Sequence, residues 1–343
     1  MKAVVLRGPG DVRVEDVPDP EIREPTDAIV EVTATAICGA DLFPYHGLTP
    51  GFEAGTILGH EFVGVVREVG EAVTRLRPGR RVVNASMIQD GTCAYCRRGL
   101  PTQCEGRALF GYSGVYPRLD GGQAELVRIP NADRVLFPLA DTVPDEAGVF
   151  VADILPTGWG AVTRAGAQVG DSVCIVGCGP VGLMAVMSAV YLGARVIAVD
   201  GIAERHQLAE GLGAEAVSPE ETADAVASAS EGLGADIVVE AAGSKSGLDA
   251  ALTLARGRGV VSVVGAHFEP DYPLNNALMF ERELTLRFTI GDPSSDREHL
   301  LGLVAAGRLD PAGIVTHRLA LADAAEAYRL FDAREATKVV LSP

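Results

Sequence analysis

The chain is poor in basic residues, and above all in lysine. Its 343 residues contain 29 Lys and Arg against 46 Asp and Glu, which gives a formal net charge of −17, and the only lysines are Lys2, Lys245 and Lys338. DNA, RNA and anionic membranes attract basic patches. The charge balance therefore argues against nucleic acid and membrane as the main partner.

The sequence predicts neither a targeting segment nor a membrane-spanning segment. The apolar run at residues 1–7 is too short for a signal peptide, and Asp11, Glu15 and Asp16 follow it closely. Residues 172–194 carry no charge and are long enough for a membrane span. We interpret them instead as a buried strand, a glycine turn and a buried helix, and we expect a cytoplasmic protein.

The six cysteines are too few for a disulfide framework in a chain of this length, and their spacing favours metal binding in a reducing compartment. Cys93, Cys96 and Cys104 lie in a loop rich in Gly and Arg, and Asp90 precedes Cys93 by three residues. Four closely spaced ligands are typical of a closed, structural zinc site. The alternative is an empty site with three reduced cysteines.

A second group of potential ligands comes earlier in the chain. Cys38 is followed, 22 residues later, by the adjacent pair His60 and Glu61. Thiolate, imidazole and carboxylate are the three ligand types of a catalytic zinc, which keeps one coordination position open for water or substrate. This pattern indicates a site that activates an oxygen atom.

The chain is long enough for two domains, and the residue pattern changes near position 155. Before that point, β-branched runs at 28–34, 62–69 and 81–83 predict a β-rich domain with long loops. After it, strand-like segments alternate with helical ones, which predicts a parallel sheet with right-handed crossovers. The strand-like segments are 172–176, 195–199, 236–240 and 259–265, and the helical ones are 181–192, 203–211 and 246–256. In the tail, the pattern predicts helices over 296–307 and 322–334 and a last strand over 338–341.

A glycine motif lies at the first strand-to-helix junction of this second part. Gly177, Gly179 and Gly182, with Pro180 and Val181 between the last two, form the pattern G-x-G-x-x-G after a strand and before a helix. The glycines let the backbone approach a pyrophosphate at the positive end of the helix.

The residues after the next strand indicate which dinucleotide binds. Asp200 ends that strand, and an acid there accepts hydrogen bonds from the adenosine ribose and repels a 2′-phosphate. We therefore predict NAD rather than NADP. Arg205 either touches the ribose or is a solvated helix residue.

Taken together, these motifs resemble the zinc-containing medium-chain dehydrogenase/reductase family, the zinc alcohol dehydrogenase type. The resemblance extends over nearly the whole chain and rests on Cys38, His60-Glu61, the cysteine loop, the glycine motif and Thr316-His317-Arg318. It is strongest to the polyol, secondary-alcohol and glutathione-independent formaldehyde dehydrogenase branch, on account of residues 153–159. The resemblance implies an α/β protein with a GroES-like catalytic domain of residues 1–154 and 290–343 and a Rossmann NAD-binding domain of residues 155–289.

The resemblance also implies roles for single residues. Asp153 matches the last ligand of the catalytic zinc, and Glu61 matches a carboxylate that ligates zinc in some states and withdraws in others. Thr157 and Val181 match positions that pack against the nicotinamide. Cys93, Cys96 and Cys104 match structural zinc ligands, while Asp90 replaces the usual first cysteine.

The implied chemistry is hydride transfer between NAD(H) and an alcohol or its carbonyl partner, with zinc as a Lewis acid on the substrate oxygen. Relatives carry the proton away through a Ser or Thr two residues after the cysteine ligand and often a His three residues further on. This chain has Ala40 and Phe43 there, and neither side chain transfers a proton. Tyr45, His46 and Glu61 are the nearby candidates, although we expect His46 to be a surface residue of the loop.

The leading interpretation is therefore a zinc- and NAD-dependent dehydrogenase acting on a polar small molecule of the secondary-alcohol or polyol type. A specialised carbonyl reductase or aldehyde dismutase with a non-standard proton route is the alternative. A non-catalytic protein that binds zinc and a nucleotide is a further one. The family resemblance implies a homodimer or homotetramer joined through the nucleotide domains near residues 260–290.

Overall fold

The computed structural model of the chain describes residues 1–267, 271–292 and 294–343. Contacts divide these residues into two compact units, one of residues 1–153 with 292–343 and the other of residues 154–291. The second unit is thus an insertion along the chain of the first.

The chain up to residue 153 is mostly strands joined by short helices. The strands are β1 (Lys2–Gly8), β2 (Asp11–Asp16), β3 (Ala28–Ala36), β4 (Thr56–Ile57), β5 (Glu61–Val69), β6 (Arg81–Asn84), β7 (Met87–Ile88), β8 (Ala108–Leu109), β9 (Leu126–Ile129) and β10 (Leu136–Pro138). The α-helices are α1 (Leu42–Tyr45), α2 (Ala94–Arg97), α3 (Ala132–Val135) and α4 (Asp145–Gly148), and the 3-10 turns are Gly39–Asp41, Pro101–Gln103 and Val149–Ala152.

Strands and helices alternate in the second unit. The strands are β11 (Ser172–Val176), β12 (Arg195–Val199), β13 (Glu215–Val217), β14 (Ala235–Glu240), β15 (Ala255–Val263) and β16 (Thr285–Phe288). The helices are α5 (Ile154–Thr163), α6 (Pro180–Tyr191), α7 (Ala203–Gly211), α8 (Thr222–Ala229), α9 (Lys245–Leu254) and α10 (Asn276–Glu281).

The last part of the chain returns to the first unit. It forms α11 (Arg297–Ala305), β17 (His317–Ala320), α12 (Ala324–Asp332) and β18 (Val339–Ser342), with 3-10 turns at Pro311–Ile314 and Leu321–Asp323. These elements confirm the two tail helices and the last strand predicted from the sequence.

The main sheet of the first unit has seven strands in the order β10-β6-β5-β3-β18-β17, with β9 also paired to β3. Strand β3 lies inside the sheet, where it pairs antiparallel with β5 and with β18. Three consecutive residues are buried at each of its ends, and buried and exposed residues alternate between them. In this register, Ala36 lies opposite Glu61 on one side and Val340 on the other. The end of β3 therefore brings residues that are distant in sequence to one place.

The second unit contains a six-stranded sheet in the order β13-β12-β11-β14-β15-β16, and all neighbouring strands are parallel. Strand β11 is buried along its whole length, as expected for a strand with both faces covered. This arrangement confirms the predicted parallel sheet with helical crossovers. Residues 172–194 form β11, the glycine turn and α6, and within the described residues no helix is long and apolar enough to cross a membrane.

Candidate active site

Three of the predicted ligands come together because of the strand register. Cys38 follows the end of β3 by two residues, and Glu61 begins β5 opposite Ala36. The turn that delivers His60 requires glycine at position 59, because φ is +95° there and a Cβ atom would lie 2.4 Å from Gln123 Cγ.

The fourth predicted ligand completes the cluster. One ligand atom from each of Cys38, His60, Glu61 and Asp153 lies within 4.8 Å of the others. Asp153 Oδ2 is 3.8 Å from Cys38 Sγ and 3.6 Å from His60 Nε2. Donors about 2.0–2.3 Å from a tetrahedral zinc lie roughly 3.3–3.8 Å from each other. The spacing of these atoms therefore fits a zinc ion.

Neighbouring polar groups orient the ligands. Asp41 is fully buried, and its Oδ2 accepts a hydrogen bond from the Cys38 backbone N–H at 2.9 Å. Its Oδ1 lies 3.2 Å from His60 Nδ1, so Nε2 is the ring nitrogen that points toward Asp153. Ser86 Oγ donates to Asp153 Oδ1 at 2.9 Å. Such contacts fix ligand rotamers before a metal binds.

The site also contains a buried cation that the sequence interpretation missed. Lys338 Nζ contacts Glu61 Oε2 and donates to the carbonyl oxygen of Ile37 at 2.9 Å, and both side chains of the ion pair are fully buried. Burial raises the pKa of Glu61, and Lys338 opposes that rise. Glu61 Oε1 has no hydrogen-bond partner among the described residues, so this oxygen is available to bind a metal ion. Lys338 is one of only three lysines and immediately precedes an apolar strand. This was the signal in the sequence that could have revealed the buried cation.

The other two buried ligands, Cys38 and His60, both have a raised pKa. Burial, and after it the charge of Glu61, raises the pKa of the Cys38 thiol to about 11. Burial alone would lower the pKa of His60, but Asp41 and Cys38 together raise it well above its ordinary value. The site therefore holds protons that a metal ion would displace.

Near the usual relay positions, Ala40 and Phe43, neither His46 nor Tyr45 replaces the missing proton relay. His46 is exposed and pairs with Asp332 at 2.7 Å, as expected for a surface residue, while Tyr45 stacks on Tyr328 with ring centroids 5.6 Å apart. Tyr112 was missed by sequence reasoning. Its hydroxyl donates to the Ala40 carbonyl oxygen and its ring lies 6.4 Å from that of His60.

The second predicted cluster also assembles. One ligand atom from each of Asp90, Cys93, Cys96 and Cys104 lies within 4.8 Å of the others. Asp90 Oδ1 accepts from the Cys93 backbone N–H at 2.8 Å, and the N–H of Asp90 donates to Cys104 Sγ at 3.3 Å. Backbone donors, Cys93 first, hold the pKa of Asp90 well below its usual value. An ionised carboxylate beside three thiols fits a closed metal site.

The glycine motif of the second unit has the geometry of a phosphate-binding turn. A Cβ at Gly182 would lie 1.8 Å from the Gly177 carbonyl oxygen, whereas a Cβ at Gly179 would meet nothing within 4 Å. Helix α6 begins at Pro180, so the open side of Gly179 faces outward at the positive end of a helix. Val181 is in the first turn of α6.

Asp200 follows β12 and is held beside this turn. Its Oδ2 accepts from the Cys178 N–H at 2.8 Å and pairs with Arg205 at 3.2 Å. The Arg205 side chain is only 16% exposed, so the interpretation of Arg205 as a solvated helix residue is wrong. Thr157 lies in α5 of the same unit, and Gly291 approaches it so closely that a Cβ there would lie 1.9 Å from Thr157 Oγ1.

Comparison with known proteins agrees with both units. Residues 24–141 match the family model of the alcohol dehydrogenase GroES-like domain, and residues 180–306 match the zinc-binding dehydrogenase model. The zinc-type alcohol dehydrogenase-like protein AdhB of Bacillus subtilis is 36% identical over 100% of both chains.

Solved structures give the same result. Alcohol dehydrogenase TADH from Thermus sp. ATN1 is 40% identical, with a TM-score of 0.96 over 100% of this chain and 99% of that one. A zinc-binding dehydrogenase of Sinorhizobium meliloti bound to NADP is 30% identical, with a TM-score of 0.87 over 100% and 99%. The chain therefore belongs to the zinc-containing medium-chain dehydrogenase family, with a GroES-like domain and a Rossmann-like sheet, and it is an oxidoreductase that uses zinc and a nicotinamide cofactor.

Proposed function

We propose that the chain transfers a hydride between NAD(H) and a polar secondary alcohol or polyol, or the corresponding carbonyl compound. Residues 1–154 and 290–343 would be the catalytic domain and residues 155–289 the NAD-binding domain. The observation that carries the proposal is that one ligand atom from each of Cys38, His60, Glu61 and Asp153 lies within 4.8 Å of the others, in a chain that also has a dinucleotide motif. Among relatives, 2R,3R-butanediol dehydrogenase from Bacillus subtilis, 27% identical, acts on such a substrate by its name.

The four clustered side chains would hold the catalytic zinc, and Asp90, Cys93, Cys96 and Cys104 would hold a structural zinc. When bound, the catalytic zinc supplies a Lewis acid for the substrate oxygen, and the nicotinamide supplies the hydride acceptor. Asp41 and Ser86 orient the ligands, and Lys338 neutralises Glu61.

We propose NAD as the cofactor because Asp200 stands at the end of β12, where a carboxylate binds the ribose hydroxyls. Gly177, Gly179, Pro180, Val181 and Gly182 would surround the pyrophosphate, while Thr157 would pack against the nicotinamide. The pairing of Arg205 with Asp200 reduces the repulsion of a 2′-phosphate, and one relative binds NADP. Another relative is an NAD-dependent alcohol dehydrogenase, 29% identical.

The direct test combines metal analysis with the absorbance of NADH against a panel of alcohols, polyols and carbonyls. We expect about two zinc ions per chain and activity that needs NAD. Less than one zinc per chain, or no nucleotide binding, would refute the proposal. A preference for NADP over NAD would contradict only the role given to Asp200 and would leave the rest of the proposal standing.

The absence of a relay at Ala40 favours the second candidate, a reductase or dismutase with a different proton route. Tyr112 keeps its proton because burial raises its pKa well above the ordinary value, so it does not serve as a base. Ala40→Ser tests this alternative. A clear gain in alcohol oxidation would show that a hydroxyl was missing, and a cofactor that survives gel filtration would favour dismutation.

A second copy of the chain is the proposed partner. Strand β16 forms an edge of the parallel sheet, and Phe280, Phe288 and Ile290 near it are 86%, 67% and 56% exposed. The predicted contact region of residues 260–290 includes this edge, although residues 268–270 lie outside the described residues.

A further inference from the structure

A buried carboxylate in the second unit has a histidine as its partner. Glu240 ends β14, is fully buried, and its Oε1 accepts from the Gly243 N–H at 2.8 Å. Its Oε2 lies 2.9 Å from His267 Nε2, and the His267 side chain is 15% exposed. A buried carboxylate requires such donors because leaving it without them is costly. The contact places a hydrogen on Nε2 of the ring.

The loops on either side of this carboxylate are packed tightly. A Cβ at Gly265 would lie 2.3 Å from the Gly243 backbone nitrogen and 2.7 Å from Glu240 Oε2. The backbone carbonyl of Glu240 accepts from the N–H groups of Val264 and Gly265, both at 2.9 Å. Glu240 thus connects the loop after β14 to the loop after β15 through both its backbone and its side chain.

The strand order locates these loops relative to a dinucleotide. In sheets of this order, the ligand lies across the carboxyl ends of the strands where the order reverses, which here is between β11 and β14. Asp200, after β12, belongs to the adenosine half. The ends of β14 and β15 are on the opposite side of the reversal, so Glu240 and His267 belong to the half that receives the nicotinamide nucleoside.

We propose that Glu240 and His267 form a positioning pair that holds residues 264–267 against the nicotinamide half of the dinucleotide. The inference rests on the proposed function, because it requires that a nicotinamide dinucleotide binds here. The His267 side chain adds to the backbone hydrogen bonds that connect the loop after β15 to Glu240, and Glu240 is the buried acceptor that fixes the direction of the His267 ring.

The test compares NADH with ADP-ribose, which has both riboses and the pyrophosphate but lacks the nicotinamide ring. NADH binding to the zinc-loaded full chain is followed by nicotinamide fluorescence, and ADP-ribose binding by calorimetry. We expect His267→Ala to raise the Kd of NADH roughly tenfold, as for the loss of one hydrogen bond to a charged group, and that of ADP-ribose less than about twofold. His267→Gln keeps an N–H at a similar reach and should restore most of the NADH affinity.

His206 provides a matched control because its Nε2 lies 2.7 Å from the Asp200 carbonyl oxygen, in the adenosine half. His206→Ala should weaken NADH and ADP-ribose by the same factor. Equal weakening of both ligands by His267→Ala, or none, would overturn the positioning role. If the wild-type protein bound neither NADH nor ADP-ribose, the proposed function would fail, and the inference with it. If the wild-type protein bound both ligands and His267→Ala changed neither affinity, only the inference would fail.

Discussion

Lys338 and Glu61 form an ion pair that water does not reach. Breaking a buried pair costs about 3–5 kcal/mol because the remaining charge stays buried without a partner. We therefore expect Lys338→Met to lower the free energy of unfolding by about 3–5 kcal/mol, and Lys338→Met with Glu61→Gln to recover part of it. Chemical denaturation at matched zinc content measures both variants.

Lys2 is the matched control for that substitution, since it pairs with Asp16 at 2.6 Å on the surface. Lys2→Met should leave the denaturation midpoint nearly unchanged, because exposed pairs contribute little. A loss for Lys338→Met no larger than that for Lys2→Met would show that Glu61 takes up a proton in place of its partner without much cost.

Zinc binding at the candidate active site should depend steeply on pH. The raised pKa values of Cys38 and His60 mean that both groups carry a proton near neutral pH in the metal-free site. Zinc must displace both protons, so its apparent affinity should rise with pH, by up to roughly 100-fold per unit. Competition with a chelator at several pH values, corrected for the chelator's own protons, measures the slope. An affinity that does not change with pH would exclude the thiolate and the imidazole as ligands.

At the scale of elements, the loop from β7 to β8 contains the proposed structural zinc site. We expect Cys96→Ser to remove one of two zinc ions per chain and to expose residues 88–109 to proteolysis, because this loop has little regular structure besides α2 and a 3-10 turn. Asp90→Cys should slow the release of zinc to a chelator, since thiolates are softer ligands than carboxylates.

Glu105→Cys is the control for the added thiol, because Glu105 is exposed in the same loop and outside the cluster. If Glu105→Cys slowed zinc release as much as Asp90→Cys, position 90 would not be a ligand position.

Elements with a strong periodic pattern could be predicted well. Strand β11 and helix α7 match their predicted ranges at both ends, and β3 extends the predicted 28–34 by two residues. The short strands β4, β7 and β8, of two residues each, carry no period and could not be found. The cysteine and histidine ligands were visible because their residue types are chemically distinctive.

Contacts between distant segments were beyond reach of the sequence. Lys338 meets Glu61 only because β18 and β5 both pair with β3, and Tyr112 meets Ala40 across 72 residues. Asp153 was recognised through family resemblance, since an aspartate at the end of an apolar segment has no pattern of its own.

At the scale of the whole molecule, the exposed edge of the parallel sheet should join two chains. We expect Phe288→Lys to shift the protein from dimer or tetramer toward smaller species, because a lysine on an edge strand opposes pairing. Light scattering after gel filtration measures the mass. Leu233→Lys is the control, because Leu233 is 70% exposed in the same unit but away from this edge. An unchanged mass for Phe288→Lys, or the same change for Leu233→Lys, would rule out this edge as the contact.

The pairing of β3 with β18 also determines the order in which the two units can fold during synthesis. Residues 154–291 form one continuous stretch and can fold on the ribosome as soon as they emerge. The β-rich unit has to wait, because β18 and Lys338 are translated after the whole insertion. Until then, the nascent chain contains Cys38, His60 and Glu61 but lacks Lys338, which neutralises Glu61. Loading of the proposed metal centre with its charge balanced is thus tied to the translation of Lys338, which follows the whole insertion.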